Sequence, residues 1–353
     1  MIILLFLTIL VLFVLETTNF KYKKQSFIGI LILMVIVEAI KFESGIDYEN
    51  CYNHFQSILL PNTFPKYEFL YNAVVYFFAF LKFPYHLYLF FFFSAVYTLY
   101  YFAIVKFSEY RLTVFLFLFC ITIGLMGSNR QIMALAIGFF GTAYFLPQKK
   151  LYYIFLIIIA GFIHQSAFFF LPLLLLCFEI KYKWWALFFA LAIVVQIFDL
   201  SRVGFNYFVN LIGPEFSAER MNYYNGLEPE TFNYLGFVLG IVRRLIPVLL
   251  LMRFKDDFRN RPQYFLILNV LCFSVFMYIL LYNDLEYVIS RIGVYYLIFE
   301  AVAYSWLILE IKKSKHKIYF ICALVFYAVF LLYKNTLSYP ELFFPYNTIL
   351  GSF

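Results

Sequence analysis

Apolar runs long enough to cross a bilayer as helices recur along almost all of the 353-residue chain. The hydrocarbon core offers no water, so a segment there must satisfy its own backbone hydrogen bonds, which only helices and closed barrels do. Barrel strands would show as alternating segments of roughly 10 residues, whereas these runs are continuous and approach the about 17 to 25 residues of a spanning helix. With 65% of residues hydrophobic, 13% charged and a mean hydropathy of +0.85, the chain lies outside the usage of soluble domains. The fold class is therefore all-α: a polytopic integral membrane helix bundle.

The patterning predicts helices near 2–17, 27–42, 85–105, 112–127, 130–147, 151–164, 166–180, 184–200, 233–252, 263–282, 291–311 and 317–334. That makes about 12 crossings in one integral membrane domain covering residues 1–353. A further apolar segment, 68–81, is read as re-entrant or interfacial. A full crossing there would turn Lys149/Lys150, Lys181/Lys183 and the cluster from Lys312 to Lys317 outward. With 68–81 returning to its own side, most of the 27 lysines and arginines fall on one face, joined by Lys21, Lys23, Lys24, Lys106, Arg111 and the basic residues from Arg253 to Arg261. An excess of basic residues marks the cytoplasmic side. The run from Met1 to Leu15 lacks a basic leader and a cleavage site, and its positive charges follow it, so it is read as a helix with its N-terminus outside. Two long polar segments, 43–67 and 201–232, then fall on the outer face, where loops held by a rigid scaffold tend to carry function.

The net charge of +7 does not indicate a nucleic-acid partner, because the basic residues are scattered among short loops with no basic domain. Cys51, Cys120, Cys177, Cys272 and Cys322 sit singly, without metal-ligand spacing. The P-loop, the H-E-x-x-H zinc motif, the G-x-S-x-G elbow and the G-x-G-x-x-G fingerprint are all missing, which removes ATP-driven transport, zinc proteolysis and hydride transfer from consideration.

What remains is a set of ionisable residues placed in or against the bilayer: Arg130, His164, Arg243, Arg244, Arg291 and Glu300. A charge there costs at least a few kcal/mol, so each needs a partner or a ligand. Arg130 and Arg291 open helices at the outer end, His164 closes one there, and Arg220 lies in the second outer loop. Guanidinium groups keep their charge when buried and match phosphate oxygens, so an outward arginine set suits a lipid pyrophosphate. Ala134, Gly138 and Gly141 follow Arg130 at helical spacing and permit close packing beside it. Asp47, Glu68 or His164 could take a proton from a sugar hydroxyl, and loop aromatics such as Tyr48 and Tyr223 could stack on sugar rings.

The order of short motifs resembles the EpsG/Wzy-like polysaccharide polymerase family over roughly residues 40 to 310. The motifs are Gly45, Asp47 and Tyr48; then Tyr67, Glu68 and Tyr71; then Arg130 and Gln131 opening a small-residue helix; then Ile163, His164, Gln165, Ser166 and Ala167. The acidic motif departs from the pattern in lacking a small residue after Glu68. The resemblance implies a GT-C-like, metal-independent membrane glycosyltransferase without cofactors. It would move a growing glycan from undecaprenyl pyrophosphate to the non-reducing end of one lipid-linked repeat unit. It would work at the periplasmic face of the bacterial inner membrane, with a chain-length regulator as a possible partner. It also implies functional roles for Asp47, Glu68, Arg130 and His164 and, by analogy, for Arg220, Arg291 and the Arg243/Arg244 pair.

Two other classes are compatible with polar residues in a bundle. A lipid-linked oligosaccharide flippase would use them to line a path, but no Gly/Pro-broken helix pair or twofold hydropathy repeat is visible. An O-antigen ligase shares the donor chemistry and differs in the acceptor. A membrane acyltransferase would place a His/Arg pair near the first helix, which contains neither.

Overall fold

The computed structural model describes residues 1–18, 20–45, 47–61, 66–198, 200, 233–282, 286–312, 314–337 and 340–352, with backbone alone for 286–291, 342 and 352. The second outer loop, 201–232, with Arg220 and Tyr223, lies outside the described residues, as does the side chain of Arg291. The chain forms two compact units, one of residues 1–177 and 298–353 and the other of residues 178–297.

The first unit holds α1 (Ile2–Glu16), α2 (Lys23–Ile40), α3 (Tyr48–Ser57), α4 (Phe69–Phe80), α5 (Tyr85–Phe107), α6 (Arg111–Thr122), α7 (Asn129–Tyr144) and α8 (Lys150–Gly161). A 3-10 helix follows over Gln165–Leu175. In the second unit α9 (Tyr182–Ile197), α10 (Tyr234–Arg253) and α11 (Tyr264–Leu281) are followed by α12 (Glu286–Ile311), whose later part returns to the first unit and leads to α13 (Lys317–Leu337). Among the described residues five helices have the length and apolarity to cross a membrane alone, and several shorter apolar helices accompany them. The all-α membrane class follows from these helices.

α6 and α7 form the core of the first unit. Every residue from Leu112 to Ile121 is buried, as are those from Gln131 to Phe139. A helix apolar all round belongs inside a bundle. Gly138 and Gly141 do the close packing expected of them: a Cβ on Gly138 would overlap the Phe170 ring, and one on Gly141 would come within 3.3 Å of Tyr153. On the outside, Leu4, Ile32, Leu151 and Phe326 leave apolar surface exposed, as a lipid-facing surface requires.

Contacts within the first unit sort its residues into two ends. At one end Glu16 accepts hydrogen bonds from the backbone N–H groups of Leu112 and Thr113 and from the Thr113 hydroxyl, capping the start of α6. Lys317 donates to the Thr17 carbonyl there, and Trp306 to that of Phe107. At the other end α2 finishes at Ile40, α7 begins at Asn129, and Asn335 of α13 donates to the Cys120 carbonyl. Within the first unit, the basic residues beside Glu16 and Lys317 and the candidate site therefore lie at opposite ends.

This sorting bears on segment 68–81. Its entry, Glu68, and the start of the next helix, Tyr85, both lie at the end away from the lysines, where Tyr85 packs on Tyr48 and Phe55. α4 therefore begins at the same end of the first unit as α5 does.

Three expectations about local structure change. The stretch 43–67 contains α3, whose buried Tyr48, Cys51 and Phe55 fall at helical spacing. The helix predicted over 166–180 is a 3-10 helix that contains Pro172 and stops at Leu175; proline has no N–H for a helical bond and its ring crowds the preceding turn. The helix predicted over 112–127 ends at Thr122, followed by the 3-10 turn Ile123–Leu125 and by Gly127 at φ +95°, a conformation glycine adopts without penalty. The tail forms a small hairpin, β1 (Asn347–Thr348) and β2 (Gly351–Ser352), laid against residues 40–44 by bonds from Phe42 N–H to the Asn347 carbonyl and from Ile349 N–H to that of Ile40.

In a Cys322→Ala background, cysteines at Lys82 and Ile349 should be labelled by a membrane-impermeant maleimide from the same side, and one at Lys315 from the opposite side. Labelling of position 82 together with position 315 would show that α4 crosses.

Candidate functional site

The site is assembled where three chain breaks meet. Gly127 ends the α6 region, and Ser128, Asn129 and Arg130 open α7. Gly161 ends α8, where the Phe168 ring leaves only 2.5 Å to a hypothetical Cβ, and His164 follows in extended conformation before the 3-10 helix. Glu68 is the residue before the first turn of α4, also extended. The start of α4 is braced against α8 by a bond from Leu70 N–H to the Phe162 carbonyl, which satisfies one of the orphan donors of a helix start.

Glu68 joins all three. Its Oε2 accepts from Arg130 Nη1 at 2.7 Å. Its Oε1 lies 3.1 Å from His164 Nδ1 and accepts from the backbone N–H of Gln165 at 3.3 Å. The three side chains are partly open, at 14% for Glu68, 21% for Arg130 and 22% for His164, so a ligand can reach them. Partial burial would raise the Glu68 carboxyl, but the His164 hydrogen bond and the Arg130 charge outweigh it and hold the pKa at about 2. Glu68 is therefore ionised at any physiological pH. A carboxylate only accepts, so His164 Nδ1 is the donor in this contact and Nε2 is the ring nitrogen left for another partner.

Arg130 is fixed from below as well. Its guanidinium lies 3.9 Å from the centroid of the Tyr67 ring and 5.9 Å from that of Tyr71. These rings are four residues apart, so both can face the same ligand at the start of α4. His54 of α3 meets the edge of Tyr67 at 4.6 Å, and burial, together with the Arg130 and Lys66 charges, lowers its pKa. Lys66 also reaches Tyr67, at 5.6 Å, adding a second cation beside Arg130.

Asp47 comes to the same end by a different route. Gly45, at φ +96°, is pressed so closely on the Met126 carbonyl that a Cβ would overlap it. That contact docks the start of α3 on the break before α7, and the Ser128 hydroxyl donates to Asp47 Oδ2 at 2.6 Å. Next to it, fully buried Lys41 donates to Glu38 at 2.8 Å and to Asn129 Oδ1 at 3.2 Å. Among the described residues no three His, Cys, Asp or Glu side chains gather as a metal-binding group.

The family model described as the EpsG family matches residues 23–348, nearly the whole chain. The chain belongs to the EpsG family. This is a Wzy-like polymerase family. No curated protein and no solved structure matches the chain.

In this EpsG-family chain, Asp47, Glu68, Arg130 and His164 thus gather at one end of the first unit. Tyr48 is 3% exposed, with its ring against Tyr52 and Tyr85, so it serves packing in this state and does not offer a face to a sugar. Arg243 and Arg244 belong to the second unit. There Arg244 is buried, lies 3.8 Å from the Tyr278 ring centroid and donates to the Gly240 carbonyl. Sequence reasoning missed Lys41, Lys66, Ser128 and Asn129. Lys41, three residues after Glu38 at a helix end, carried the spacing of an internal ion pair.

Two outcomes follow from this geometry. Glu68 has its folded-state pKa below the ordinary 4.5, so its stabilisation is fully present above about pH 4.5 and is lost as pH falls towards 2. At neutral pH the shift is worth about 3 kcal/mol. Glu68→Gln should lower the thermal midpoint in detergent and flatten the acid limb of the stability curve; an unchanged limb would refute the assigned charge state. Gly45→Ala should destabilise by roughly 1–3 kcal/mol through strain at positive φ, read by the same melt.

Proposed function

We propose that this chain is a polysaccharide polymerase that lengthens a lipid-linked glycan. In this reading the donor is a growing glycan on undecaprenyl pyrophosphate, and the acceptor is the non-reducing end of one lipid-linked repeat unit. The reaction takes place at the periplasmic face of the bacterial inner membrane, in a bundle of about 12 crossings of the C-type integral-membrane class. The observation that supports it best is the Glu68 carboxylate shared between Arg130 and His164.

The chemistry divides between these residues. Glu68 at a pKa of about 2 is too weak a base for a sugar hydroxyl, so that role falls to His164. Held through Nδ1, the ring turns Nε2 to the acceptor hydroxyl and takes its proton as the oxygen attacks the donor's anomeric carbon. The bond from that carbon to the phosphate oxygen breaks, and its electron pair leaves with the pyrophosphate. Arg130 commits Nη1 to Glu68, and its remaining N–H groups are suited to the phosphate oxygens where that charge develops. Asp47 acts by fixing Ser128 and with it the start of α7.

Reconstituted in proteoliposomes with lipid-linked repeat units, the wild type should give a ladder of lengthened glycan. His164→Ala should lower the rate by about 10²–10⁴-fold and Arg130→Ala by about 10²–10³-fold, with normal insertion of both. A full ladder from both variants would overturn the assignment. Movement of the lipid-linked sugar across the bilayer without lengthening would indicate a flippase, and transfer to a non-repeat acceptor a ligase.

A further inference from the structure

Three consecutive residues open α7, and each is bonded to a different element. The Ser128 hydroxyl donates to Asp47 before α3, Asn129 Oδ1 accepts from Lys41 after α2, and Arg130 donates to Glu68 before α4. A helix start leaves backbone N–H groups unsatisfied and is commonly held by the side chain in the capping position. Here that residue, Ser128, makes no cap, because its hydroxyl goes to Asp47. Nor does α6 run on into α7: the 3-10 turn Ile123–Leu125 and Gly127, at φ +95°, separate them. The first turn of α7, which carries Arg130, therefore depends on side chains from other elements to keep its place.

Of the three that hold it, Lys41 is the one with no part in the chemistry described above. It is also the most deeply set: Lys41 is 0% exposed and Asn129 1%. Its ammonium group donates to Glu38 Oε2 at 2.8 Å and to Asn129 Oδ1 at 3.2 Å, and lies 4.6 Å from the centroid of the Phe93 ring. Desolvation of two charges offsets most of their attraction, so a buried ion pair adds little net stability over an apolar pair of the same shape. What an apolar pair lacks is an N–H group for Asn129. The backbone of Lys41 is fixed as well, by its bridge to Thr348 of the hairpin and, one turn earlier, by the bond from the Tyr346 hydroxyl to the Val37 carbonyl.

We infer that Lys41 is a positioning residue: through Asn129 it fixes the first turn of α7 and so holds Arg130 where it meets Glu68 and the phosphates of the glycan donor. Glu38 neutralises the ammonium group and keeps it aimed at Asn129. The effect of Lys41 on the rate rests on the polymerase reading above; its effect on α7 does not. Without the bond from Lys41, Arg130 is still present but misplaced, and a shift of about 1 Å can cost about 10²-fold in rate.

Glu38→Gln combined with Lys41→Met removes both charges at nearly constant shape and deletes the N–H group offered to Asn129. In proteoliposomes this double variant should keep a thermal midpoint close to that of the wild type and lower kcat by about 10–100-fold, with KM changed less than about threefold. Asn129→Leu should lower kcat to a similar degree, and the three changes together no further, since both ends act through one bond. Wild-type kcat in the double variant, or losses that multiply in the triple variant, would overturn the proposal. So would a fall in kcat that tracks the thermal midpoint from variant to variant, which marks lost folding. Amide hydrogen exchange read by mass spectrometry follows the helix start without the reaction: residues 128–133 should exchange several-fold faster in the double variant, while the rest of α7 stays protected. Unchanged exchange at 128–133 would overturn the proposal whatever the rates. A wild type that makes no ladder, with the faster exchange still seen in the double variant, would fault the polymerase reading and uphold the role of Lys41 in fixing α7.

Discussion

A single partly buried carboxylate organises one end of the first unit. Glu68 bonds to residues 62, 96 and 97 positions away in the sequence, and it is one of the few polar contacts between α4, α7 and the junction after α8. A carboxylate in that setting must be paired, because an uncompensated charge out of water costs several kcal/mol. The pairing has two consequences at once. It fixes the orientation of His164 and the position of Arg130, and it anchors the entry of α4 to the side from which α5 departs. The chemistry and the local path of the chain therefore depend on the same contact.

The partners of Glu68 are precise because of what lies behind them. α7 is almost wholly buried, and Gly138 and Gly141 let Phe170 and Tyr153 seat against it. The segment carrying His164 is thereby fixed relative to the segment carrying Arg130. On the opposite flank, Gly45 against Met126 and Ser128 against Asp47 hold the start of α3 on the same helix start. Apolar packing sets the distances here, and the polar groups exploit positions already determined.

Much of this was legible in the sequence, in a graded way. Apolar run length gave the class, and lysine placement sorted the ends, because bilayer physics penalises every exception to either rule. Arg130 and His164 stood out because charged groups near a bilayer need partners, Glu68 as a carboxylate that could take a proton, and here the three are one another's partners. The remainder followed no strong period. α3 is only ten residues long and its amphipathic spacing lies inside a polar stretch. The 3-10 helix after His164 shares its apolar content with an α-helix, and Pro172 was the sole local hint. Tyr48 read as an exposed loop aromatic because the sequence does not show that Tyr52 and Tyr85 close over it. Lys41 passed unnoticed because only the tertiary fold brings Asn129 to it beside Glu38.

The hairpin at 347–352 bears on the order in which this end can assemble. Ser44 bonds both to the carbonyl and from the N–H of Asn347, 303 residues further along the chain. Residues 40–44, which lead into Gly45 and Asp47, therefore keep open backbone groups through most of synthesis, while the ribosome adds only about 5–20 residues each second. The stretch that leads into Gly45 and Asp47 is thus completed by a segment made long after it.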